Sequence, residues 1–137
     1  MAQWSSEWKV PCPIQLVWDV ATDLSHTAWR SDLRKVEVLG PGQYVETSQD
    51  GGVSHITVSA SEPCQRLLLQ VEGQGTYGTR ELRFEGDEME TKIIIRDEMM
   101  GRTLLISLSE SAYIKKFQKR YLRDLNNELY RIVRGED

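Results

Sequence analysis

Over residues 109–133 the apolar side chains of this chain fall at helical spacing. Tyr113, Phe117, Tyr121, Leu125 and Leu129 follow one another at intervals of four, and Ile114, Leu122 and Ile132 widen the stripe. Lysines and arginines cover the remaining faces, and Gly135 marks the end. A helix with so broad an apolar face draws most of its stability from whatever packs against that face. The rest of the chain must therefore supply a matching surface.

That surface reads as a sheet. Apolar and polar residues alternate through 33–39, 43–48, 53–60, 66–72, 77–85 and 89–99, and turn chemistry separates the segments: Gly40-Pro41-Gly42, Asp50-Gly51-Gly52, Glu62-Pro63-Cys64, Gly73-Gln74-Gly75 and Gly86-Asp87. Strands this close, joined by turns this short, imply an antiparallel meander. A seventh strand opens the chain, where Trp4, Ser6, Trp8 and Val10 alternate with polar residues until Pro11 and Pro13 stop it. Residues 14–21 then read as a short helix with Ile14, Val17, Trp18 and Ala21 on one face. Asp23 or Ser25 can cap a second short helix running through Trp29 and Arg30. The expected order is one strand, two short helices, six strands and one long helix, an α+β chain. A curved sheet folded around a single helix leaves a wedge-shaped gap, which side chains either fill or leave partly open to a ligand.

Size and composition limit the alternatives. At 137 residues, 39% hydrophobic and 28% charged, the chain can build one core without metal or disulfide, so residues 1–137 are expected to form a single domain. Cys12 and Cys64 make no disulfide framework, and no Cys/His spacing suggests zinc; neither metal nor cofactor is expected. No apolar run approaches the ~18–20 residues that cross a bilayer, and the N-terminus lacks a secretory pattern, so no stable membrane insertion and a cytoplasmic location are expected. Residues 113–134 carry seven basic and two acidic side chains while the whole chain has net charge -4, so the body is acidic. An acidic body argues against wrapping nucleic acid. The basic helix face is either solvated or a contact for anionic lipid or an acidic partner. Oligomeric state has no signature here.

The stretch Val10-Pro11-Cys12-Pro13-Ile14-Gln15-Leu16-Val17-Trp18-Asp19-Val20-Ala21-Thr22-Asp23, followed by Trp29, resembles the START-like (SRPBCC) superfamily, closest to its polyketide cyclase/dehydrase-like branch. The Leu39-Gly40-Pro41-Gly42 turn, the Glu62-Pro63-Cys64-Gln65-Arg66-Leu67 corner and the terminal amphipathic helix carry the resemblance across essentially the whole chain. It implies the helix-grip fold, a seven-stranded antiparallel sheet wrapped around the C-terminal helix with a pocket between them. Members bind lipids, sterols, polyketides or plant hormones, some cyclise or dehydrate such compounds, and one branch serves as a co-chaperone. The family shares no catalytic set, so the resemblance assigns no catalytic residue.

Alternation along the strands identifies what faces the gap. The inward phases are Val36/Val38, Ile56/Val58, Leu67/Leu69/Val71, Leu82/Phe84 and Ile93/Ile95. The candidate ligand-contacting residues are Val58, Leu69, Arg80, Leu82, Phe84, Ile93 and Ile95 from the sheet, Phe117 and Tyr121 from the long helix, and Trp29. Any of these can equally be plain core. Arg80 is the informative one, because two steps from Leu82 its phase aims a guanidinium into the gap. There it pairs with a protein carboxylate, meets a ligand anion, or snorkels to water. His26 and His55 read as surface residues, and no nucleophile pattern accompanies them. Asp19 and Asp23 read as surface and cap residues before an acid/base pair, Cys12 and Cys64 as small residues at turns, and Trp4 and Trp8 as core.

Three functions compete. The first is a carrier or sensor that binds an apolar small molecule or lipid in the gap. The second is a cyclase/dehydratase-like enzyme using Tyr44, Arg80 and Tyr121 in an enclosed site. The third is an interaction protein docking a partner through its basic helix face or exposed tryptophans.

Overall fold

The computed structural model describes residues 2–135, except for the side chains of residues 104–110. Seven strands, β1 (Ala2–Val10), β2 (Leu33–Gly40), β3 (Gln43–Ser48), β4 (Val53–Glu62), β5 (Arg66–Gly73), β6 (Thr76–Gly86) and β7 (Thr91–Gly101), are joined by one short helix, α1 (Ile14–Thr22), and followed by α2 (Leu104–Val133). The sheet is antiparallel throughout, in the order β1-β7-β6-β5-β4-β3-β2. Strands β2 to β7 form the expected meander, and β1 closes onto the free edge of β7. The β2–β3 turn works because Gly42 takes φ 69°, a left-handed conformation that costs glycine nothing.

Register shifts interrupt β2–β3 and the β4–β5 pair between Val58 and Ala60. Such irregularities bend and twist a sheet locally, as wrapping a helix requires. At Gly78, near the start of β6 in its pairing with β7, a methyl group would collide with the Glu98 carbonyl, so the close approach of these strands depends on the missing side chain.

Helix α2 lies against β1 and β7, and α1 packs between α2 and β6. Phase and stripe meet as the alternation implied: Leu67, Leu82, Ile93 and Ile95 from the sheet and Ile114, Leu125 and Leu129 from α2 are all buried. Trp18 of α1 stands edge-on to Phe84, with ring centroids 5.1 Å apart. Among the described residues no helix is long and apolar enough to cross a membrane.

Four expectations are corrected. The second short helix does not form; after Thr22 the chain runs through turns closed by His26 N–H to the Asp23 carbonyl and Arg30 N–H to the Thr27 carbonyl. The local cause is visible in the side chains. Ser25 Oγ donates to Asp23 Oδ1 (2.8 Å) and His26 Nδ1 meets Asp23 Oδ2 (2.9 Å), bonds that compete with helical pairing. Strand β2 does not bury Val36 and Val38 as a phase: Val38 is 58% exposed, because β2 is an edge strand that makes no substantial contact with α2. At the opposite edge Trp4 and Trp8 remain partly exposed, Trp8 by 46%, with the Lys115 ammonium 5.0 Å from the Trp4 ring. Helix α2 also begins earlier than residue 109, at Leu104.

Candidate functional site

The inward phase of β7 continues past Ile93 and Ile95 to Asp97 and Met99, which places a carboxylate in the gap. Asp97 is wholly buried, its side chain 0% exposed, and Arg80 lies directly across the ladder. Arg80 Nε donates to Asp97 Oδ1 at 2.6 Å, while the guanidinium sits 3.8 Å from the centroid of Phe117. The other carboxylate oxygen accepts from Gln118 Nε2 at 2.8 Å, which also donates to the Trp4 carbonyl. Ser6 Oγ completes the chain by donating to Gln118 Oε1 at 2.6 Å. Of the partners open to Arg80 in the sequence, a protein carboxylate is the one present. Its charge is balanced through a network that ties β1, β6, β7 and α2 together.

A second buried arginine lies beside it. Arg30, on the segment between α1 and β2, donates from Nε and Nη2 to Asp32 (3.1 and 2.8 Å) and from Nη1 to Glu46 Oε2 (3.0 Å). Its guanidinium carbon is 5.7 Å from the Phe117 centroid and 5.5 Å from that of Tyr121. Burial opposes the charge on Arg30, but the carboxylates of Glu46 and Asp32 outweigh it and hold its pKa above the ordinary value. Burial pushes the Tyr121 hydroxyl up to about 12, against the pull of Arg30 and Arg80. Tyr121 is thus a neutral hydroxyl at physiological pH.

Arg30, Asp32, Glu46, Arg80 and Phe117 help to wall a cavity of about 270 Å³ between the sheet and the N-terminal half of α2. Its apolar side is formed by Ile56, Val71, Met99, Ile114 and Phe117, and its polar side by Arg30, Asp32, Glu46, Ser54 and Arg80. A second hollow of about 20 Å³ lies against Trp29, Leu69, Leu82 and Tyr121 and shares Arg30, Glu46, Ile56 and Arg80 with the first. That volume suits a single water molecule, which needs ~10–15 Å³ of this measure and polar neighbours. Trp29 stands edge-on to Tyr121 at 5.5 Å, and its buried Nε1–H has no hydrogen-bond partner among the described residues. On its outer side Trp29 also borders an open surface hollow of about 370 Å³ between residues 25–29 and β2.

The candidate residues divide accordingly. Arg80 and Phe117 line the cavity of about 270 Å³, and Trp29, Leu69, Arg80, Leu82 and Tyr121 line the hollow of about 20 Å³. Phe84, Ile93 and Ile95 are buried in the core and Val58 packs against it; these four line neither hollow. Tyr44 packs against the core on β3 and also lines neither. Sequence reasoning missed Arg30, Asp32, Glu46 and Asp97. For Asp97 the signal was available, since it continues the phase of Ile93 and Ile95. For Glu46 it was fainter: β3 pairs Tyr44 with inward-facing Ile56, and Glu46 is two residues on.

Elsewhere the chemistry is sparse. Asp19 is exposed and accepts from Gln15, and Asp23 is held by Ser25 and His26. Both cysteines are free; burial pushes the Cys12 thiol above its ordinary range, away from reactivity. Among the described residues no three His, Cys, Asp or Glu side chains are grouped to hold a metal ion.

Comparison with known proteins places this arrangement in context. Residues 1–133 match the family described as polyketide cyclase/dehydrase and lipid transport. A START superfamily protein from Mycobacterium smegmatis superimposes with a TM-score of 0.87 at 9% identity, covering 96% of this chain and 99% of its own. A conserved protein from Geobacillus kaustophilus gives 0.78 at 14% identity, with 94% and 95% covered. DynU16, described as a putative protein in the dynemicin biosynthetic locus, gives 0.69 at 20% identity over 99% of this chain and 49% of its own. At these identities the likeness concerns the fold. No functionally curated protein matches the sequence.

Proposed function

The chain belongs to the polyketide cyclase/dehydrase and lipid transport family, and from that premise we propose that it binds an apolar small molecule or lipid between the sheet and α2, as a carrier or sensor. The observation that carries this reading is the cavity of about 270 Å³, apolar on one wall and polar on the other. It lies just below the ~300 Å³ at which small-molecule pockets usually begin, so it suits a compact guest or one segment of a longer chain. Burying an apolar chain against Ile56, Val71, Met99 and Ile114 supplies the driving force, and the polar wall fixes orientation. A guest that binds only the folded state raises the unfolding temperature with its concentration. Thermal denaturation against a panel of short amphiphiles, with native mass spectrometry of the same mixtures, tests this. A saturable upward shift with one molecule bound supports the reading, and no shift from any probe defeats it.

A second reading rests on the smaller hollow, where the neutral Tyr121 side chain meets Arg30 and Arg80. A substrate in the adjoining cavity of about 270 Å³ can reach Arg30 and Arg80 on the shared wall, with Tyr121 acting through the single water that the hollow suits. Such donors can stabilise a developing oxyanion, as a cyclase or dehydratase would require. Under this reading Tyr121→Phe lowers turnover of an accepted substrate by at least tenfold while binding is kept; unchanged turnover would exclude it.

A further inference from the structure

The charges around the cavity are not evenly matched. Arg80 is balanced by Asp97, whereas Arg30 faces two carboxylates, Asp32 and Glu46. These five side chains carry two formal positive and three formal negative charges, and Asp50 adds a further carboxylate to the cavity wall. An entering carboxylate or phosphate would find both guanidinium groups already paired and a surplus negative charge beside them. Arg30, Glu46 and Asp97 are themselves buried, so the mismatch at the inner wall is screened less than it would be at an exposed surface.

The hydrogen-bonding inventory is specific in another way. The Arg80 side chain is 11% exposed and bonds through Nε alone; among the described residues no acceptor engages its two Nη groups. The Glu46 side chain is 10% exposed and bonds through Oε2 alone; among the described residues no donor engages Oε1. Both side chains lie on the wall shared by the two hollows, so the cavity offers donors and an acceptor together. Among the described residues Trp29 Nε1 is the one buried side-chain polar atom without a partner, so these atoms of Arg80 and Glu46 reach water. A guest that displaces that water must replace its hydrogen bonds with complementary groups.

From this we infer that the guest's polar end is a neutral group that both donates and accepts hydrogen bonds, such as a hydroxyl or a carboxamide, and is not a carboxylate or phosphate. The inference rests on the binding reading above and specifies its ligand class. Arg80 donates to the guest oxygen, Glu46 accepts from its O–H or N–H, and the apolar tail lies against Ile56, Val71 and Met99.

The test uses three probes that share one tail: octan-1-ol, octanamide and octanoate. Each is titrated at pH 7.5, with tryptophan fluorescence and unfolding temperature as readouts. The expected result is saturable binding of the alcohol and the amide, with octanoate at least tenfold weaker. Desolvation of the carboxylate alone would also weaken octanoate, so Glu46→Gln separates the causes. Removing that charge should bring octanoate to within about threefold of octanol. Should Glu46→Gln fail to fold, Asp32→Asn removes the same surplus charge from the other partner of Arg30. Octanoate binding as tightly as octanol to the wild-type protein overturns the inference while leaving the binding reading intact. Discrimination unchanged in whichever variants fold also overturns it. No saturable response from any of the three defeats the binding reading itself, and the inference with it.

Discussion

The two ends of the sheet–helix gap are built from the same alternating strands and the same helical stripe, yet one is filled and the other is not. At the α1 end, Trp18 and Phe84 interlock, Thr91 Oγ1 satisfies the Cys12 carbonyl at 2.9 Å, and Ile93, Leu125 and Leu129 are fully enclosed. At the far end, where β5 gives way to β6 through Gly73-Gln74-Gly75, the same gap is walled by Arg30, Glu46 and Arg80 and stays open. Charged side chains explain much of the difference. An arginine–carboxylate cluster must satisfy its hydrogen bonds in a fixed geometry, so it cannot collapse onto its neighbours as aliphatic side chains do. In this fold the ion pairs prop the cavity as well as line it.

Asp97→Ala should show the largest effect. Removing the partner of a buried guanidinium should cost about 3–5 kcal/mol in urea unfolding, whereas replacing both partners, as Arg80→Met with Asp97→Leu, should recover most of that loss. A loss well below 1 kcal/mol for the single variant would mean the cluster does not brace the open end. At the filled end, Ile93→Ala should cost about 2–5 kcal/mol and leave guest affinity within about twofold. A large change in affinity there would erase the distinction between the two ends.

The third effect is pH-dependent. The Tyr121 hydroxyl is held up to about 12 in the folded protein, above its ordinary value of 10.0. Below pH 10 its contribution to stability is fully present. Between 10 and 12 the unfolded chain loses the proton first, so stability falls, by about 3 kcal/mol in all. Tyr121→Phe should lack that increment, and parallel stability curves for the two proteins across this range would contradict it. The smallest effect is expected from Val71→Phe. Its added volume enters the cavity, so stability should change by less than about 1 kcal/mol, below the usual ~1–3 kcal/mol cost of overpacking a full core. Guest binding, by contrast, should be abolished.

Strand positions and the long helix were legible because alternation and turn chemistry are local properties, and β3 and the β4–β5 corner fall where they were expected. What escaped was decided by neighbours. Val38 follows its strand pattern but lies at an edge beyond the reach of α2, whereas Trp4 and Trp8 lie on the other edge strand, which α2 does contact but leaves them partly exposed. The segment after Thr22 carries capping residues, but they bond to one another and no helix follows. At the site, Arg80 was legible from phase, and Asp97 would have been by the same rule. Glu46 carried only a faint phase signal and Arg30 none: they meet across 16 positions of sequence, and Arg30 lies on an irregular segment with no phase to read. Alternation says which side of a strand faces the gap. Where along α2 the gap is left open depends on packing between distant segments.

Methyl-resolved NMR during titration with octan-1-ol tests most directly whether the open end holds the guest. Saturable shifts confined to Ile56, Val71, Met99 and Ile114, with Ile93, Leu125 and Leu129 unmoved, are the result this account predicts. Shifts centred on the α1 end, or spread evenly over both sets, would contradict it.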